Sequence, residues 1–171
     1  TIVHDPWRPV QSDGGHLGQN PGLFDRSKID NRLDIAVFQT HYLKENIHLS
    51  GIPTFHTAVK SDQESFDICV ALSLISGENE TINQFTTGFL RIKKAIKNIE
   101  KDYLINLHPT NISIPKGSKL RLSLAASAWP AIGVNPGNNK FRCGNTTIDH
   151  EIITLNFNLK KSIMKISPFF K

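Results

Sequence analysis

The sequence predicts an all-β fold, a sandwich or a barrel, on three observations. Apolar residues recur at every second position in one segment after another, turn-forming residues separate those segments, and there is enough apolar material for a core. Hydrophobic residues make up 39% of the 171 and charged residues 20%, which excludes a disordered chain. No apolar run approaches the roughly 20 residues of a membrane helix, so the chain is expected to be soluble, with no membrane partner. At this length roughly 70% of the unfolded surface can be buried, so a single domain needs neither disulfide nor metal to hold its core.

About eight strands are predicted, in this order. Ile35 to Thr40 and Ile47 to Leu49 come first, followed by Phe55, Thr57 and Val59. The clearest period of two is Phe66, Ile68, Val70, Leu72 and Leu74 alternating with Asp67, Cys69, Ala71 and Ser73, which reads as a half-buried strand. Phe85 to Ile92, the trio Tyr103, Ile105 and Leu107, then Leu120, Leu122 and Leu124 follow, and Ile153, Leu155, Phe157 and Leu159 close the set. Ser50-Gly51-Ile52-Pro53, Ser76-Gly77-Glu78-Asn79, His108-Pro109-Thr110-Asn111 and Pro115-Lys116-Gly117 supply the bends between them.

Two stretches depart from this pattern. Phe89, Ile92, Ala95, Ile96, Ile99 and Tyr103 recur at three- and four-residue steps among lysines, which fits a short basic amphipathic helix near 93–101. A solvated face over one end of the sandwich is favoured there over a phosphate- or partner-binding stripe. Residues 1–33 carry no strand period and are rich in proline and glycine. They are expected to form an extended N-terminal arm that lies on the surface of a sandwich built from 34–171 without contributing a core element.

The formal charge of +5 is mild for a domain of this size, and no nucleic-acid partner is expected. Cys69 and Cys143 form no C-x-x-C pair and read as buried thiols in a reduced compartment. The chain opens at Thr1 without Met or leader, which suggests a removed signal or a piece of something longer. Three N-x-S/T sequons, at Asn79, Asn111 and Asn145, are a number that chance explains.

A nucleophile elbow, a P-loop, H-E-x-x-H, paired C-x-x-C and an EF-hand loop are all absent from the sequence. The seven histidines are scattered singly. His48 and His56 could meet across a hairpin around Gly51, but solvent-facing rings are the favoured reading. No catalytic residue, metal or cofactor is expected of this chain.

What stands out is Asp5-Pro6-Trp7-Arg8-Pro9-Val10, followed by Gly14-Gly15, His16 and Leu17. Pro6 and Pro9 fix φ on either side of Trp7-Arg8 and present an aromatic ring and a guanidinium from extended backbone. The glycine pair allows a tight turn or a close approach to another surface. Asp25, Arg26, Asp30, Arg32 and Asp34 suit a salt-bridge ladder. The arm is expected to pack on the sandwich, and the sharper expectation adds a second domain, with Trp7 as anchor.

This opening run, with Asp25-Arg26 and Arg32 to Asp34, resembles the start of the C-terminal non-catalytic domain of X-Pro dipeptidyl-peptidases and the related CocE/NonD hydrolases. Further similar elements follow in order: Gly51-Ile52-Pro53, Ser61-Asp62, Asp67, Thr87-Gly88 with Arg91, His108-Pro109-Thr110, Gly117 with Arg121-Leu122, Ala126 to Pro130, and Asn135-Pro136. The resemblance covers about residues 4–157. It implies a jelly-roll β-sandwich similar to galactose-binding-like domains. It also implies an absent α/β-hydrolase domain of the same parent chain as partner, the serine triad lying there. Asp5, Trp7, Arg8, Gly14 and Gly15 then become candidates for the contact between domains, and His16 and Leu17 for a wall of the substrate cleft. A cytoplasmic enzyme, forming a homo-oligomer or not, goes with this reading. The alternative is a carbohydrate-binding module whose site would use Trp129, Asn135 and Arg142, with Asn138 and Asn139 alongside.

Overall fold

A computed structural model describes residues 1–15, 20, 22–76, 81–144 and 149–166. The long alternating segment becomes β6 (Phe66–Ser76), flanked by the antiparallel strands β7 (Thr81–Ile92) and β10 (Lys119–Ala125). Two short strands, β2 (Phe24–Asp25) and β3 (Ala36–Gln39), complete a five-stranded sheet of order β2-β7-β6-β10-β3. A second sheet has the order β1-β11-β5-β8, from β1 (Ile2–His4), β11 (Ile153–Lys165), β5 (Thr54–Ser61) and β8 (Lys101–Asn106). β4 (Ile47–Gly51) and β9 (Thr110–Ile114) pair as a separate ribbon. All these strand pairings are antiparallel.

The period of two sorts the side chains. Ile68, Val70 and Leu72 from β6 and Leu124 from β10 meet Phe55, Val59, Ile105, Ile153 and Leu155 of the facing sheet in one buried cluster. Fully burying each such side chain contributes roughly 1.5–3 kcal/mol. The β4–β9 ribbon closes one end over a smaller cluster of Leu49, Ile114 and Leu120. The all-β sandwich is therefore present, with more strands than the eight expected. β9 is not among the expected strands because only Ile112 and Ile114 alternate there, next to a stretch with turn chemistry, and β1 is too short to display a period.

Three expectations are corrected. The segment near 93–101 is not a helix: Lys94 and Asn98 take left-handed φ values of 56° and 62°. Its amides bond the neighbouring loop instead, Ala95 N–H to the Glu64 carbonyl at 2.8 Å and Asn98 N–H to that of Ser61 at 2.6 Å. So short a segment gains little from helical hydrogen bonds alone, and the tertiary contacts win. The described helix is α1 (Ser27–Asp30), one turn long.

The arm does contribute to the core. β1 pairs with β11, Ile2 opposite Leu155, and Ile2 sits in the main cluster.

The third correction concerns β6, which is buried on both faces. Val10, Ile29, Ile35 and Ala128 form a second cluster over Cys69 and Ala125, so the side of the sheet that the sequence assigned to solvent is roofed by the arm, α1 and the segment after β10. Under this roof Arg26 is 5% exposed and Asp30 6%. Arg26 Nε donates to Asp30 at 3.0 Å and its Nη1 to Gln84 Oε1 at 2.6 Å, while Ser123 Oγ donates to the other Asp30 oxygen at 2.9 Å. Of the expected ladder, Arg26 and Asp30 form a buried brace, each ion kept inside by its partners, while Arg32 pairs with Asp34 nearer the surface and the exposed Asp25 accepts from Ser27.

Candidate functional site

The arm is strapped to the body residue by residue. Val10 N–H donates to Ser127 Oγ at 2.8 Å, Trp129 N–H to the Val10 carbonyl at 2.9 Å, and Ser12 N–H to the Trp129 carbonyl at 2.7 Å. Gly14 and Gly15 follow with φ of 69° and 68°. A Cβ on Gly14 would lie 2.4 Å from Phe24 Cβ, and one on Gly15 would press on Thr87 and Gln84. The close approach these glycines allow is thus to the domain's own β2 and β7, and both are buried. They drop out as direct contacts to another domain. Gly15 and Gly22 exchange backbone hydrogen bonds of 2.8 and 3.2 Å, so these two positions are held side by side. His16 and Leu17 fall between those points and lie outside the described residues.

Asp5, Trp7 and Arg8 remain on the surface. The Asp5 carboxylate accepts the Trp7 N–H at 3.0 Å, and the Asp5 carbonyl accepts the Arg8 N–H at 2.9 Å, a local turn that fixes the backbone from which the ring projects. Trp7 is 55% exposed. Its inner side rests on His150, with ring centroids 5.6 Å apart and planes tilted by 38°. Arg32 ties the next loop to this turn: Nε and Nη2 clasp Asp34 at 2.8 and 2.7 Å, and Nη2 also donates to the Arg8 carbonyl at 2.7 Å. The hydrogen bond to Asp34 raises the Arg32 pKa above its ordinary value. Val3, Asp5, Arg8, Asn31, Arg32, Leu33 and Asp34 surround an open groove of about 410 Å³.

Behind the groove lies His4, 1% exposed, with neither ring nitrogen hydrogen-bonded. Burial pushes its pKa below 6.5, against the opposing pull of Asp67, Asp34 and Asp5. Nothing in the sequence marked His4 as buried. Asp67 itself is fully buried, clasped by Arg91 Nε and Nη2 at 2.9 and 2.7 Å and by Asn135 Nδ2 at 2.9 Å. The Arg91 guanidinium reaches on to the Gly133 carbonyl, so this cluster holds the loop after Trp129 against the sheet. The resemblance had singled out Asp67, Arg91 and Asn135 individually; that they are one cluster is visible only in three dimensions.

The remaining candidates separate. Asn135 is 0% exposed and spends its amide on Asp67 and the Gly137 N–H, while Asn138 bonds the Pro136 and Asp149 carbonyls. Both amides are therefore committed within the domain, whereas Trp129, 43% exposed, and Arg142 are at the surface, so Asn135 is not available to the alternative sugar-binding set. His48 bonds Ser113 at 3.1 Å on β9, whereas His56 lies opposite Leu104 and Ile163 in another sheet; the two do not meet. Cys69 and Cys143 are both free, but only Cys69 is buried. Burial and the nearby Asp67 push the Cys69 thiol well up, so it is inert. Among the described residues no cluster of three or more His, Cys, Asp or Glu could hold a metal, and no helix is long and apolar enough to cross a membrane. A guanidinium and a bare leucine around a groove, with the Trp7 ring on the same turn as Arg8, offer surfaces for contact.

The family model for the X-Pro dipeptidyl-peptidase C-terminal non-catalytic domain matches residues 3–162. No curated protein matches in sequence. Among solved structures, an aminopeptidase from the marine sediment archaeon Thaumarchaeota archaeon superposes with a TM-score of 0.84 at 15% identity, over 99% of this chain and 33% of its own. An α-amino acid ester hydrolase gives 0.85 at 16% identity, over 98% of this chain and 32% of its own. A CocE/NonD family hydrolase from Staphylococcus aureus gives 0.59 at 14% identity, over 86% of this chain and 32% of its own. At these identities the likeness is one of fold, and the chain spans about a third of each of those molecules.

Proposed function

This chain belongs to the family of X-Pro dipeptidyl-peptidase C-terminal non-catalytic domains, and from that premise we propose that it is the accessory domain of a serine hydrolase, docked on an α/β-hydrolase domain of the same parent chain. The observation that carries the docking is Trp7: a large ring 55% exposed, held in a fixed direction by Asp5 and His150 on an arm whose backbone is strapped down. A half-exposed, pre-oriented tryptophan beside an open groove is the composition of an interface anchor, because little side-chain entropy remains to be lost on contact.

In this reading Asp5, Trp7 and Arg8 make the contact between domains. His16 and Leu17, between Gly15 and Gly22 in the sequence, help to wall the substrate cleft of the partner domain. The free thiols of Cys69 and Cys143 fit a reduced compartment, and we place the parent enzyme in the cytoplasm.

Trp7→Ala tests the docking. In the full-length parent chain it is expected to loosen the two domains, read as faster native-state proteolysis at their junction. The melting temperature of the 171-residue chain should change little, since more than half of the ring's surface is already open to solvent. A fall of the size a core truncation produces, about 3 kcal/mol or more, would place Trp7 in the domain's own core instead.

A further inference from the structure

The loop between α1 and β3 carries Leu33, whose side chain is bare at 104% relative exposure. It is not a loose tip. Ile29 and Ile35 on either side are each 8% exposed and packed in the second cluster. The Arg32 fork on Asp34, its further bond to the Arg8 carbonyl, and the Arg32 N–H to the Ile29 carbonyl at 3.1 Å fix the backbone between them. A leucine with a bare side chain on a fixed backbone adds nothing to the fold, and the backbone part of its ordering cost on binding has already been met within the domain.

The charges beside it are unevenly committed. Arg32 and Asp34 satisfy one another, and Asp5 accepts the Trp7 amide. Arg8, exposed on the same groove, has no ion-pair partner among the described residues. We propose that Leu33 is a knob that enters an apolar socket on the catalytic domain of the parent chain, with Arg8 meeting a carboxylate on the rim of that socket. This rests on the docking reading above and names the chemistry of the surface it requires. The occupant is that domain because hydrolases of this fold carry about two thirds of their length outside it, and because the uncommitted guanidinium beside a bare leucine asks for an acid next to an apolar hollow.

The test uses the full-length chain with Leu33→Ser, Arg8→Ala and Trp7→Ala variants, each probed by native-state proteolysis at the domain junction over a range of NaCl, with light scattering for mass. Leu33→Ser is expected to speed cleavage about tenfold. Arg8→Ala should speed it several-fold at low salt and remove most of its salt dependence, because the lost contact is between charges. The 171-residue chain carrying Leu33→Ser should melt with the unsubstituted chain. If Leu33→Ser and Arg8→Ala cleave like the wild type while Trp7→Ala cleaves faster, the knob and its carboxylate are wrong and the docking stands. If all three behave like the wild type, the docking reading falls with them. A dimer that becomes a monomer on Leu33→Ser, with no change at the junction, would assign the knob to a second copy and overturn the proposal.

Discussion

The imidazole of His4 carries a consequence for acid stability. Packed at 1% exposure with no hydrogen bond to either nitrogen, it is kept neutral by burial, and its folded pKa lies below 6.5. The unfolded chain therefore binds the extra proton more readily. His4's contribution is present in full above about pH 6.5 and is lost as the pH falls below that value toward the folded pKa, with a slope of up to about 1.4 kcal/mol per pH unit. His4→Leu should flatten the dependence of the urea midpoint on pH between 6.5 and 5. An unchanged slope would show that another group titrates there. The other two residues of consequence, Trp7 and Leu33, differ in legibility. Two flanking prolines advertised Trp7 in the sequence. Leu33 looked like any apolar residue near a turn, and its exposure became visible only once Arg32 was seen to turn the loop outward.

Among the elements, β7 shows how closely the two layers approach. Gly88 has an ordinary φ, yet a Cβ there would stand 2.6 Å from the Asn106 carbonyl oxygen and 2.9 Å from Leu107 Cα. Those atoms are backbone, so no side chain can swing aside. The Thr86 hydroxyl at 2.7 Å from the His108 carbonyl and the His108 N–H at 2.8 Å from that of Thr87 tie the same crossing. Gly88→Ala is expected to cost about 1–3 kcal/mol through overpacking, lowering the melting temperature by several degrees. A melting curve that superposes on the wild type would mean that β7 shifts freely at this point. Strands with five or more residues of strict alternation were legible, as in β6, β10 and β11. The period failed at β1 and β9, where too few positions repeat, and near 93–101, where a helical spacing was overruled by amide bonds to the 61–65 loop.

For the molecule as a whole, the buried brace and the double-sided burial of β6 make a domain that should stand by itself. The 171-residue chain is expected to unfold cooperatively and to hydrolyse neither simple esters nor X-Pro amides. Turnover of either substrate, or covalent labelling by a serine-directed probe, would contradict its accessory role. Only the sandwich class, most of its strands and the family were determined by the sequence itself, because alternation, turn chemistry and motif order are properties of neighbours along the chain. Which sheet faces stay covered was decided by the tertiary structure. Asp67 falls on the face that the alternation leaves to solvent, and it is buried because Asn135, far away in sequence, folds onto it. Burial is a property of the whole packed surface, and a period of two records the two sides of a strand without saying what covers either.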